Sequence, residues 1–89
     1  MKKAITIRVQ GEVQGVFFRA HAKNEADRLG TKGWVSNEPD GSVLIEAEGE
    51  AEQLNQLVTW CKTGSPSARI AEVTTEDIQP EHHTQFRVE

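Results

Sequence analysis

Twice within 89 residues the apolar pattern passes from a period of two to a period near 3.6 and back again. Few folds accommodate that order. Ala4 to Gln10 alternates Ile5, Ile7 and Val9 with Thr6, Arg8 and Gln10, the signature of a strand with one buried face. From Arg19 to Leu29 the residues Ala22, Ala26 and Leu29 fall at helical spacing, and Gly30 is placed to end the helix. Gly33 to Asn37 predicts a second strand, Glu38-Pro39-Asp40-Gly41 a turn, and Ser42 to Gly49 the return strand of a hairpin. Glu50 to Thr63 predicts a second helix, with Leu54, Leu57, Val58 and Cys61 on one stripe and Gly64 and Pro66 as its stop. Ile70 to Ile78 predicts a fourth strand, Gln79 to Thr84 a polar loop, and Gln85 to Val88 a short terminal strand. The expected architecture is α+β, a ferredoxin-like α/β sandwich with βαββαβ order. It has an antiparallel sheet of four to five strands and two helices on one face. One domain over residues 1–89 is expected, since the length leaves no room for a second core.

The longest apolar runs are three residues, so no membrane-spanning helix is expected. Met1-Lys2-Lys3 is followed by an alternating, charged segment rather than the apolar stretch of a secretory leader. The single cysteine, Cys61, excludes an internal disulfide framework and points to a reducing cytoplasm. Cys61 itself falls on the apolar stripe of the second helix and reads as core.

The net charge is −4, which argues against a nucleic-acid partner. The charge is unevenly spread. Residues 1–32 carry seven basic side chains against three acidic ones, and residues 33–89 carry three against eleven. A local basic site on an acidic chain suits a small anion better than a long polyanion. The acidic run Glu46, Glu48, Glu50 and Glu52 reads as a solvated strand face and helix start. His82 and His83 read as exposed loop histidines, whose side chains diverge too far for a two-histidine metal site. His21 reads as solvent-facing, and no Ser/His/Asp nucleophilic set is apparent.

The segment Gly11-Glu12-Val13-Gln14-Gly15-Val16-Phe17-Phe18-Arg19 runs from a strand into a helix. A helix start leaves backbone N–H groups without partners, and the helix dipole favours an anion there. Gly15 permits the left-handed turn that curls successive N–H groups into a nest. Arg19 adds a planar, permanently charged fork for two phosphate oxygens. The Lys-Ser/Thr pair of a nucleotide P-loop is missing, so a triphosphate–magnesium site is not implied. Taken alone, the segment also reads as a plain strand-to-helix connection with a surface arginine. Asn37, ending the second strand, reads equally as a turn residue bonded to its own backbone.

The same segment closely resembles the first signature of the acylphosphatase family. Gly33-Trp34-Val35-Ser36-Asn37, followed by Gly41-Ser42-Val43 and Gly49, resembles the second. Gly64-Ser65-Pro66-Ser67-Ala68-Arg69-Ile70 and Phe86-Arg87-Val88 are similar to later family segments. The resemblance implies a loop of Gln14, Gly15, Val16, Phe17, Phe18 and Arg19 that cradles a phosphoryl group. It further implies that Arg19 orients that group and that Asn37 positions the attacking water. The implied activity is hydrolysis of small acyl phosphates to carboxylate and inorganic phosphate, with no cofactor and no metal. The implied partners are a small acyl phosphate and, in its place, a phosphate or sulfate ion bound to a monomer. Ser36 stands where a basic residue is often found in the family, and Glu38 follows Asn37, departures that bear on affinity rather than on the two catalytic positions. The alternatives are a non-catalytic acyl- or carbamoyl-phosphate binding module and an RNA-recognition fold of the same topology. The latter needs aromatic residues on the first and third strands, where this chain has none.

Overall fold

The computed structural model describes residues 2–89. Its elements are β1 (Lys3–Glu12), α1 (Phe18–Leu29), β2 (Lys32–Asn37), β3 (Val43–Gly49), α2 (Ala51–Cys61), β4 (Arg69–Ile78) and β5 (Phe86–Val88). The sheet order is β4-β1-β3-β2-β5, so β1 and β3 lie at the centre and β2 flanks β3. The first four strands pair antiparallel. The fifth departs from the expected pattern by joining β2 in parallel, which makes the sheet mixed. That follows from the connection after β4, which must travel from one sheet edge to the other before β5 begins.

Ile5, Ile7 and Val9 lie opposite Ala47, Ile45 and Val43 in register, and Val35 lies opposite Ile45 on the other side. This apolar face packs against Phe18, Ala22, Ala26 and Leu29 of α1 and Leu54, Leu57 and Cys61 of α2 in one continuous core. Trp60, off the α2 stripe, caps the core edge with its ring 5.1 Å from that of Phe18 and tilted 49° to it. Element ends differ from expectation by a residue or two, as chain ends do. β1 continues through Gly11 and Glu12 because a register shift after Gln10 lets it go on pairing with β4. α2 is shorter than Glu50 to Thr63. Glu50 is its cap, with its N–H donated to Gln53 Oε1 at 2.8 Å, and Thr63 falls in the closing turn.

Two expectations on the second sheet face fail. Glu46 and Glu48 are not a solvated face, being only 8% and 5% exposed. His83 is not an exposed loop histidine; its ring nitrogen lies 2.7 Å from Glu46 and its side chain is 12% exposed. The cause is the polar segment between β4 and β5, which lies against this face. Glu48 accepts the backbone N–H groups of Glu81, of His82 at 3.1 Å and of His83 at 2.9 Å. Burial pushes the Glu48 carboxyl up, but these N–H bonds and the neighbouring His83 outweigh it and hold the group below its ordinary value. His82, exposed as expected, adopts a left-handed φ of 61° that brings consecutive N–H groups onto one carboxylate.

Candidate active site

The segment between β1 and α1 turns twice through the left-handed region, at Gly15 (φ 75°) and at Phe17 (φ 61°, ψ 21°). Gly15 has open space where a Cβ would stand, so its requirement is conformational rather than steric. Phe17 is the cap residue of α1. No side chain caps this end, and no acidic residue occupies the first turn. The first N–H groups of α1 therefore keep their capacity for an anion.

These residues border a cleft of about 300 Å³ lined by Val13, Gly15, Phe17, Phe18, Arg19, Ala20, Asn37 and Val88. Arg19 at the start of α1 and Asn37 at the end of β2, 18 positions apart, thus face one opening. They meet because β1 and β2 flank β3 and run in the same direction, each antiparallel to it. The end of β2 then lies beside the chain that leaves β1.

Arg19 donates one N–H to the main-chain oxygen of Glu89 at 2.8 Å. That contact fixes one arm of the fork, and among the described residues four of its five N–H donors remain. Asn37 Oδ1 is sealed from solvent and accepts no hydrogen bond among the described residues. Such a buried acceptor costs about 1–3 kcal/mol.

The other sequence-predicted residues divide by side chain and backbone. Gln14 turns its side chain away from the cleft and donates to two carbonyls, Glu38 at 2.8 Å and Ser42 at 2.9 Å. Val16 packs against the core, and its carbonyl accepts Ser65 Oγ at 3.0 Å. Phe18 is buried in the core. Any contact of Gln14 or Val16 with an anion therefore runs through the main chain. The turn that follows Asn37 is itself fixed. Asp40 accepts Ser42 N–H at 2.9 Å and Ser42 Oγ at 2.6 Å, bonds that hold its carboxyl below the ordinary range. Arg8 Nη1 donates to Ser42 Oγ at 2.9 Å.

Sequence reasoning did not single out Val13, Ala20, Val88 or the Glu89 oxygen at this site. Val88 follows Phe86 at strand spacing, so it shares the core face of the sheet. Nothing in the sequence marks that it lies beside the start of α1.

The cleft is lined by one cationic side chain, Arg19, and the start of α1, with no carboxylate or imidazole among its lining side chains. It is suited to a small anion held by Arg19 and backbone, with Asn37 reaching a second, neutral group. Comparison with known proteins agrees. A curated acylphosphatase from Anaeromyxobacter sp. (strain Fw109-5) is 58% identical over 67 residues, which span 75% of this chain and 72% of that protein. The structure of an acylphosphatase from Coxiella burnetii superposes with a TM-score of 0.95 at 38% identity, covering 99% of this chain and 93% of the other. The crystal structure of acylphosphatase from Bacillus subtilis gives 0.94 at 37% identity, covering 99% and 98%. Residues 5–88, from the first core strand to the last, match the acylphosphatase family, and the chain belongs to it.

Proposed function

We propose that this protein is an acylphosphatase. It hydrolyses the carboxyl–phosphate bond of small acyl phosphates in the cleft between the start of α1 and the end of β2. The observation that carries this reading is the shared opening of Arg19 and Asn37 at an uncapped helix start.

An acyl phosphate is a mixed anhydride whose leaving group is a carboxylate. That group departs without being protonated, so the site needs no general acid. What remains is to hold a doubly charged phosphoryl group and to set a water in line with the leaving oxygen. The N–H groups from Gln14 to Arg19 and the Arg19 guanidinium supply the positive field. The Asn37 carboxamide has no useful basicity. Its role is to orient the attacking water by hydrogen bonding. The water oxygen bonds to phosphorus as the bridging bond to the acyl oxygen breaks, giving carboxylate and inorganic phosphate. A phosphate oxygen of the substrate takes the proton the water gives up. No metal or cofactor enters this scheme, because the Arg19 fork and backbone dipoles do the work of charge neutralisation.

The same reading takes residues 1–89 as one acylphosphatase domain acting as a monomer in the cytoplasm, with a phosphate or sulfate ion as the simplest occupant of its cleft. The test is release of inorganic phosphate from benzoyl phosphate in the presence of a chelator. Turnover with competitive inhibition by inorganic phosphate is expected. Phosphate binding with no turnover would leave a binding module in its place.

A further inference from the structure

Among the described residues two large apolar side chains stand exposed, Phe17 at 78% and Val88 at 43%. Both line the cleft that holds Arg19 and Asn37. They come from opposite ends of the chain, and their meeting at one opening is a property of the fold. Phe17 is exposed although its neighbour Phe18 is only 1% exposed. The left-handed backbone at Phe17 sends the two rings in different directions, one into the core and one to the rim. A bulky aromatic residue is an unfavourable occupant of that region. Folding therefore gains nothing from this ring, which is both strained and left in solvent. Val88 shares its sheet face with buried Phe86 but lies beside the start of α1, where the helix no longer covers it. With Val13 and Ala20 the two form an apolar wall of the cleft that Arg19 and Asn37 also line.

We propose that Phe17 and Val88 are the acyl-recognition rim of the cleft, and that its preferred substrates carry an apolar or aromatic acyl group. This rests on the reading of the cleft as a phosphoryl site. A phosphoryl group on Arg19 leaves its acyl part projecting toward the opening, where Phe17 offers a ring face and Val88 a branched aliphatic surface. The acidic residues flanking the cleft in the chain, Glu38 and Glu89, disfavour an acyl part that carries its own carboxylate.

The experiment compares kcat/KM for benzoyl phosphate and acetyl phosphate in the wild type, Phe17→Asn, Phe17→Leu and Val88→Thr. Asn tolerates the left-handed backbone, so Phe17→Asn removes the ring while keeping the turn. Wild type is expected to favour benzoyl phosphate. The benzoyl-to-acetyl ratio falls roughly fivefold to tenfold in Phe17→Asn, the size of one lost aromatic contact. It falls less in Val88→Thr and is partly restored in Phe17→Leu. Inhibition of Val88→Thr by inorganic phosphate matches that of wild type, reporting an intact anion site. Ratios within about twofold of wild type in both Phe17→Asn and Val88→Thr would overturn the rim. A wild type that hydrolyses neither substrate would instead overturn the phosphoryl reading beneath it.

Discussion

In the proposed mechanism Arg19 and Asn37 divide one task, and their substitutions separate its halves. Arg19→Gln removes a charged donor from the anion site. Turnover falls by about 10²–10³ or more and inhibition by inorganic phosphate is lost, while circular dichroism stays that of the folded protein. Asn37→Ala removes only a neutral carboxamide. Phosphate inhibition persists while kcat falls by at least about 10², and near-normal rates in this variant would refute the water-positioning role. Cys61 makes a contrasting case, because burial pushes its thiol up to about 12 and no cationic neighbour brings it back. A disulfide reagent at neutral pH is expected to label the native protein no faster than the chain opens. Arg19 and Asn37 were singled out in the sequence by the family resemblance, since spacing alone also allowed a surface arginine and a turn asparagine, whereas Cys61 was legible from its place on an apolar helical stripe. Glu46, Glu48 and His83 were not. Alternation along β3 assigns the two glutamates to the second sheet face, and only the path of a distant polar segment makes that face dry.

At the level of elements, the side chain of Gln14 stitches the loop before α1 to the turn after β2 through two carbonyls. A family resemblance places Gln14 among the anion-binding residues, yet its amide spans the gap between the elements that carry Arg19 and Asn37. If that bridge sets the spacing of Arg19 and Asn37, Gln14→Ala is expected to lower kcat about tenfold or more with a smaller change in phosphate inhibition. Gln14→Glu, which loses the donors and adds a charge, should be worse. Gly33 plays a different part in β2. At φ 143° a Cβ would stand 1.8 Å from the Glu46 carbonyl oxygen across the ladder. Gly33→Ala is expected to cost at least about 2 kcal/mol in denaturant unfolding. The elements themselves were legible because their periods are clean. The parallel pairing of β5 was not, since three residues hold no pattern that distinguishes one direction from the other.

Across the whole molecule, the segment between β4 and β5 is fastened to the sheet by two buried carboxylates, Glu48 on three backbone N–H groups and Glu46 on the His83 ring. Glu48 has a folded pKa below its ordinary 4.5, so its contribution to stability is complete above that value. The contribution is lost as pH falls from about 4.5 through the folded pKa. Glu81 opposes this over the same range, because its contact with Glu46 pushes its own carboxyl up. Glu48→Gln is therefore expected to lower the unfolding free energy measured in urea at pH 7 by about 1–3 kcal/mol for the weakened charge-assisted bonds. The variant should also lose less stability than wild type between pH 5 and pH 3. Equal acid sensitivity in the two proteins would assign the acid transition elsewhere.

The central position of β1 has a consequence for how the protein comes into being. Its partners are β3 and β4, so the first strand made is completed by pairings that close long loops. Such closure is entropically slow and yields little until both neighbours arrive. Since β3 is also the spacer that brings the end of β2 beside the start of α1, no half-assembled chain has a working cleft. Recovery of catalysis during refolding should then keep pace with the tryptophan emission of a Trp34→Phe variant, which reports the tilted Trp60–Phe18 contact, making turnover a direct clock for the arrival of the native state.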